Sequence, residues 1–513
     1  MTSRRAFLKT TGAGAAALAT LRWERAALAQ KKQTVTIAFP ETVTSLDPQP
    51  ASRNSPRESM YEAIFDRYLQ QDRHLKYQPH IVEAWQWSSP DKMGMDLKIR
   101  QGVKFHDGSD LAAEDVAFSL DRMRATPPYK VIYEKITDIQ VRAGAKIHLE
   151  FARFDPSFPR WMGFLASFVI PKAYFQKVGP EEFARKPIGS GPYRVVSFTP
   201  GSTLVLDAFD RYWKGAPPIK RTVFKMVTDP TARVAEILSG SADIASEVAV
   251  EEFARLTAQP DLKGVKQPIA DMAEIFVSPR FDPLQKEDVR LAVHLAIDKK
   301  TLVEKVLLGF GIPSSSTEGQ LYDAYDPSFT FPYDPAKAKQ LLQKAGYSPS
   351  NPLRLQVMST KGVRAKDFEV MTAITQMWKD VGIEAELEVV TIPQWFQYRN
   401  NRTKEGKGLA PLSLYFWSNA TGDPINSVGF QLNVKGPFRV WESEDLIPLI
   451  DPVFGEKDEP KRIAAAKRAA RYAVEKGYVI PLFQVVQPVV MKKDLNYQPF
   501  PTGILVPQEM SWA

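Results

Sequence analysis

Cysteine is absent from the 513-residue chain, which excludes disulfides, thiolate metal sites, iron–sulfur clusters and cysteine nucleophiles. Histidine is nearly as scarce. His74, His80, His106, His148 and His294 complete the set, none in H-E-x-x-H or another metal-ligand spacing, so neither a metal site nor a cofactor is expected. Long apolar runs are missing too: beyond residue 30 nothing approaches the ~20 residues that cross a bilayer, and the stretch 164–170 stops at Pro171. The chain also lacks G-x-x-x-x-G-K-[ST], which would cradle ATP phosphates, and G-x-S-x-G, which would present a nucleophile. These gaps argue against an enzyme.

What remains is an ordinary globular composition, 44% hydrophobic and 25% charged, long enough for two or three packed domains. The 40 prolines are spread along the chain, which disfavours long bundles and coiled coils. The net charge of +8 falls to +4 once residues 1–29 are set aside. No basic face with interleaved aromatics stands out, so nucleic acid is not an expected partner. The first residues combine Arg4-Arg5, Phe7, Leu8 and Lys9 with a weakly apolar stretch and Ala27-Leu28-Ala29. That order predicts a twin-arginine signal peptide cleaved after Ala29 and a periplasmic product.

Along the mature chain, β-type runs at 35–39, 97–100, 147–151, 204–206, 222–227, 353–358, 384–390 and 412–417 alternate with helical patterns. Asp229-Pro230 and Asp334-Pro335 open two helices that end at Gly240 and Gly346, because Asp caps free N–H groups, Pro suits the first turn and Gly takes the left-handed stop. Phe368, Met371, Ile374, Trp378 and Val381 form one apolar stripe ahead of Gly382, and Asp298 caps a helix predicted over 299–308. The stretch 461–476 reads as a helix with a solvated basic face, His294 as a packed helical side chain, and Phe105-His106-Asp107-Gly108 and Gly189-Ser190-Gly191 as turns. The fold class is α/β.

Several stretches together resemble one family, the large periplasmic solute-binding proteins (family 5) of peptide-type ABC importers for oligopeptides, dipeptides or nickel. They are 61–69 (YEAIFDRYL), 97–116 (LKIRQGVKFHDGSDLAAEDV), 188–213 with GSGPYRVVSF and Asp210-Arg211-Tyr212-Trp213, 289–298 (VRLAVHLAID) and 333–347 (YDPAKAKQLLQKAGY). The resemblance implies a two-lobed type II binding protein closing by a hinge. Lobe I would span 30–272 plus 488–513, with 59–187 as an extra subdomain, and lobe II 273–487. It further implies delivery of a small solute to membrane permease subunits served by a separate ATPase, by a receptor expected to be a monomer. The family usually caps the helix at Ala112 with a hydroxyl; Asp110 is the expected substitute.

For the ligand, the resemblance points first to Trp417, Ser418, Asn419 and Asp423 at a strand end, and to Lys361 or Arg364 for an anionic group. Trp395 would offer an aromatic face, and Thr44 and Ser45 contacts from lobe I. Peptide-binding relatives carry an amine-binding aspartate where this chain has Ala420. Two ligand classes therefore stay open, a short peptide or peptide-like compound, and an anionic, sugar-like or opine-like solute without a primary amine. A receptor docking a chemosensor shares the fold, and an exported hydrolase or cofactor enzyme is the rival from another class.

Overall fold

The computed structural model describes residues 33–51, 57–89, 91–127, 129–278, 280–400, 410–434 and 443–513. The twin-arginine stretch and the cleavage point after Ala29 lie outside them.

One eleven-stranded sheet runs through the molecule. Its strands, in chain order, are β1 (Thr34–Phe39), β2 (Tyr193–Thr199), β3 (Thr203–Ala208), β4 (Arg221–Met226), β5 (Ile244–Ser246), β6 (Leu262–Val277), β7 (Gly311–Pro313), β8 (Leu353–Ser359), β9 (Ile383–Val389), β10 (Leu412–Ser418) and β11 (Val479–Lys492). Across the sheet the order is β9-β8-β10-β6-β11-β5-β1-β4-β3-β2, with β7 added to β11. β1 lies parallel to β4 and β5, and β8 parallel to β9 and β10. The long antiparallel pair β6 and β11 joins the two groups, and its pairing lapses between Pro268 and Met272. A separate four-stranded sheet, Val82–Trp87, Gly94–Ile99, Lys146–Phe151 and Ile136–Arg142, stands apart from this frame.

Three large apolar cores follow from that layout. One gathers residues of 273–483, a second mainly 68–169 around the four-stranded sheet, and a third joins 35–65 and 168–244 to 489–510. Among the described residues no helix is long and apolar enough to cross a membrane.

Local chemistry explains the helices. In α1 (Pro230–Leu238) Asp229 accepts from Ala232 N at 2.8 Å, and Gly240 adopts φ 72°. In α3 (Pro335–Lys344) Asp334 accepts from Lys337 N at 2.8 Å, with Gly346 at φ 96°. Between them α2 (Glu287–Leu295) carries His294, which stacks on Phe331 at 3.6 Å between ring centroids. The stripe around Trp378 becomes α4 (Asp367–Lys379), and the alanine-rich stretch becomes α5 (Glu459–Glu475). The sequence predicts one α-helix over 299–308. Instead Lys299–Thr301 passes into a π-helix, Leu302–Val306, and Leu308 and Gly309 end it at positive φ. At the helix that opens with Ala113, Asp115 accepts from Ala112 N at 2.9 Å, while Asp110 pairs with Lys104. The carboxylate one turn inside is therefore the capping acceptor, not Asp110.

Candidate functional site

A cavity of ≈ 860 Å³ opens where the two groups of strands meet. Its polar wall arises from one rule of parallel sheets: side chains beyond the C-terminal ends of neighbouring strands converge on the crevice there. Glu41 follows β1, Thr228 follows β4, Glu247 follows β5, Lys361 follows β8, and Trp417 and Ser418 close β10. The lapse between β6 and β11 adds Asp271, and Gln487, still paired with Gln267 beside it, lines the same wall. Aromatic rings make the opposite wall, with Tyr129, Trp161 and Phe164 from the four-stranded-sheet region and Phe396, Tyr415 and Phe430 from the other side. Phe430 stacks on Trp161 across the cavity at 6.4 Å.

Arg364 is the principal cation of this wall. Its Nη2 donates to Asp271 Oδ2 at 3.0 Å, its Nε is buried without an acceptor, and its side chain remains 29% exposed. Burial works against its charge, but Asp271, Glu247 and Glu41 together hold its pKa above the ordinary arginine value. The loop that presents it is tied down by Asp367, whose carboxylate accepts from Thr360 Oγ1 at 2.7 Å and from the backbone N–H groups of Gly362, Val363 and Arg364 at 2.8–3.3 Å. Glu41, which accepts from Arg57 Nε at 3.2 Å, has its pKa raised by burial despite that partner. Glu247 takes an amide N–H from Gln487 at 3.1 Å and sits at φ 53°, a left-handed conformation unusual for a residue with a Cβ. Lys366 forms an ion pair with Glu251 across the mouth, linking the loop after β8 to the segment after β5.

The structure brings together Lys361, Arg364, Trp417 and Ser418 from the sequence-predicted set. The other residues lie elsewhere. Asp423 is fully buried: its oxygens accept from Arg462 at 3.0 and 2.8 Å, and Arg160 Nε lies 3.3 Å away. It also caps the short 3-10 helix Pro424–Asn426 through Ile425 N. Both of its oxygens are spent on the fold, so it presents none to the cavity. Asn419 is likewise enclosed, donating to Ser427 Oγ at 3.1 Å and accepting from Thr421 Oγ1 at 2.8 Å. Trp395 is 1% exposed and stacks on Tyr415 at 4.2 Å; its neighbour Phe396 reaches the cavity instead. Thr44 and Ser45 border a separate recess with Arg57 and Tyr61. Ala420 packs against the second core and offers its carbonyl to Gln71 Nε2 at 2.7 Å.

Two glycine-rich turns resolve as structure. A Cβ on Gly189 would stand 2.0 Å from the Ile64 carbonyl oxygen, so only glycine fits there. His106 accepts from Gly189 N through Nδ1 and donates to Gly191 O through Nε2, and burial drives its pKa down to about 4. Among the described residues no three potential ligands are grouped to hold a metal ion.

Sequence reasoning missed Glu41, Glu247, Asp271 and Asp367. Asp271 did leave a signal, since two acids, Asp271 and Glu274, interrupt the mainly apolar second half of β6. Glu41 and Glu247 stand in loops and Asp367 opens α4, and only the strand order brings them to one crevice.

The comparisons agree with this architecture. The profile of the bacterial extracellular solute-binding proteins, family 5 (middle), matches residues 76–436. Heme-binding protein A of Haemophilus influenzae is 28% identical over 377 residues, covering 68% of this chain and 67% of its own. Di/tripeptide-binding protein 2 of Pseudomonas aeruginosa is 27% identical over 439 residues, with 79% and 80% covered. The solved structure of HbpA2 from Haemophilus parasuis superposes with a TM-score of 0.81 at 22% identity, covering 94% of this chain and all of that one. A dipeptide-binding protein from Pseudoalteromonas in complex with Met-Leu gives 0.77 at 18%, with 94% and 100% covered. The two-lobed fold of the binding proteins is thus shared, and the chain belongs to the family 5 bacterial extracellular solute-binding proteins.

Proposed function

We propose that the chain is the receptor of a peptide-type ABC importer, capturing one peptide-like solute in the cavity and handing it to membrane permease subunits. The observation that carries this reading is the cavity itself, roofed by aromatic rings from both sides and charged at the strand ends of both halves. Enclosed cavities of several hundred Å³ with an apolar wall and a few aimed polar groups suit small molecules. No chemistry on the solute is needed. Closure alone stores the binding energy, since ligand contacts made by both lobes favour the closed state.

In this reading lobe I comprises 30–272 and 488–513, with 59–187 as its subdomain, lobe II comprises 273–487, and the crossings at β6 and β11 flex between them. The lapse in their pairing supports that choice, because unpaired backbone bends at least cost. The receptor works as a monomer in the periplasm after removal of the twin-arginine signal. A wholly anionic solute fits less well, because Glu41, Glu247 and Asp271 share the wall with Arg364.

Mass spectrometry of small molecules released by denaturing the protein after periplasmic extraction tests the reading. A peptide or peptide-like compound is the expected result. A sugar or a purely anionic metabolite would overturn the peptide assignment, and turnover of a hydrolase substrate panel would overturn the receptor role.

A further inference from the structure

Resting on the division into hinged lobes proposed above, we infer that Arg160 is a latch between them. Its guanidinium, carried by the 59–187 subdomain, seats in lobe II and holds the cavity closed by direct protein contact, before any solute adds contacts of its own.

The local chain places Arg160 for this role. It sits in a single helical turn, Phe158–Trp161, whose last residue lines the cavity and stacks on Phe430 of the facing wall. Arg160 Nη1 donates to Gly422 O at 3.1 Å, and Nη2 donates to Asp323 Oδ2 at 2.7 Å and to Glu459 Oε1 at 3.2 Å. Its Nε stands 3.3 Å from Asp423 Oδ2. All four partners belong to 273–487, the nearest of them 163 positions along the chain. A guanidinium presents its N–H donors as a fixed fork, so one side chain ties the segment after β7, the segment after β10 and the start of α5. Burial works against the charge, but Asp423, Asp323 and Glu459 hold its pKa above the ordinary arginine value.

Neighbouring contacts follow the same seam. From the subdomain, Gln71 Nε2 donates to Ala420 O at 2.7 Å, Tyr77 OH donates to Thr421 O at 3.1 Å, and Lys76 pairs with Asp323. The first two are neutral hydrogen bonds, and Lys76 is 52% exposed, where water screens an ion pair. Arg160 is only 16% exposed and meets three carboxylates, so the strongest, charge-assisted part of the seam is its own. Parting the lobes here would also separate Trp161 from Phe430 and unroof the cavity. Removing Arg160 strands neither buried acid, because Asp423 keeps its two bonds from Arg462 and Asp323 keeps Lys76. What is lost is the tie between lobes, and a solute that needs the closed form then binds more weakly by the factor lost from the closed fraction.

The absence of cysteine lets two introduced thiols carry the only spin labels. Double electron–electron resonance between V141C on the subdomain and V389C on lobe II, positions 42% and 46% exposed, reads the gap between the lobes. The labelled protein is first stripped of retained solute by unfolding and refolding. Solute-free protein with Arg160 intact shows a short-distance population, and R160Q lowers that population about tenfold with little change in melting temperature. Adding back the small-molecule fraction released by denaturation restores the short distance in both. R160K keeps the charge but not the fork; it gives an intermediate population and serves as the reading if R160Q does not fold. A solute-free protein found only at the long distance, or a short-distance population unchanged by both variants, would overturn the latch while leaving a hinged receptor wherever the added fraction still shortens the distance. One distance in every sample, with or without that fraction, would overturn the latch and the hinge together.

Discussion

Two arginine–carboxylate centres in this molecule look alike in sequence and differ in what they do. At the first, Asp423 and Arg462 are both 0% exposed and joined by two parallel hydrogen bonds, with Arg160 lying against the same carboxylate and Glu459 on the second face of Arg462. At the second, Arg364 makes one bond to Asp271, keeps a buried Nε without an acceptor and remains partly open to the cavity. The contrast teaches that a fully satisfied buried pair belongs to the fold, whereas a pair that stays partly exposed at a cavity wall is the better candidate for contact with a solute. Residue type and distance from Trp417 did not separate the two; the count of spent lone pairs and donors does.

The largest expected effect comes from breaking the closed centre. Asp423→Asn leaves the Arg462 charge buried with only the half-exposed Glu459, and losing one member of a buried pair costs about 3–5 kcal/mol. Urea unfolding should show that loss; a change under 1 kcal/mol would mean the pair is not the fold element described.

A neighbouring carboxylate sharpens the comparison, because among the described residues Glu318 pairs with no cation. Burial pushes it up to about 7, and the charge of Asp423 adds to the push against hydrogen bonds from Ser427 Oγ and Val428 N. The folded state therefore holds a proton that the unfolded side chain releases near 4.5. Its stabilising effect is complete below the unfolded value and is lost as pH rises through about 7, on the order of 3 kcal/mol in all. Glu318→Gln should flatten the fall in unfolding free energy between pH 5 and pH 8. An unchanged slope would assign that pH dependence to other groups.

At the open centre the cost moves from stability to binding. Arg364→Gln should weaken binding of the released solute by about 10- to 100-fold, the range expected for one charge-assisted hydrogen bond of ~1.5–3 kcal/mol. The melting temperature should fall by only a few degrees. A fold collapse instead would make Arg364 a structural residue like Arg462. The smallest effect belongs to the pair across the mouth. Lys366 and Glu251 are 22% and 49% exposed, so Lys366→Ala should cost ~0.2–1 kcal/mol of closure. Titration should read this as a several-fold weaker affinity at most, diminishing at high salt.

Much of this fold was legible in the residues. The Asp-Pro and glycine punctuation of α1 and α3 appears as capping bonds and left-handed stops, because these effects act within one turn of chain. The π-helix at Leu302–Val306 was not legible, since i+5 bonding depends on tertiary packing rather than on propensity. The same division holds for the site. Trp417 and Ser418 could be placed because they close a strand visible in the pattern, and Lys361 and Arg364 only through the family resemblance; all four line the cavity. Asp423 misled because Arg462, 39 positions later, is the partner that removes it from the cavity. Trp395 misled because a helix of mixed polarity gives no cue to which of two adjacent rings, 395 or 396, faces inward. Glu247 and Gln487 meet across 240 positions, a proximity no local pattern encodes.

The most direct test of the account is native mass spectrometry of the protein taken from the periplasm, wild type beside Ala249→Trp, which crowds the cavity with an indole ring from a loop on its wall. The account predicts one retained small molecule per wild-type chain and none on Ala249→Trp, with both proteins melting at similar temperatures. Retention of the same molecule by a folded Ala249→Trp protein would place the solute outside the cavity and contradict the account.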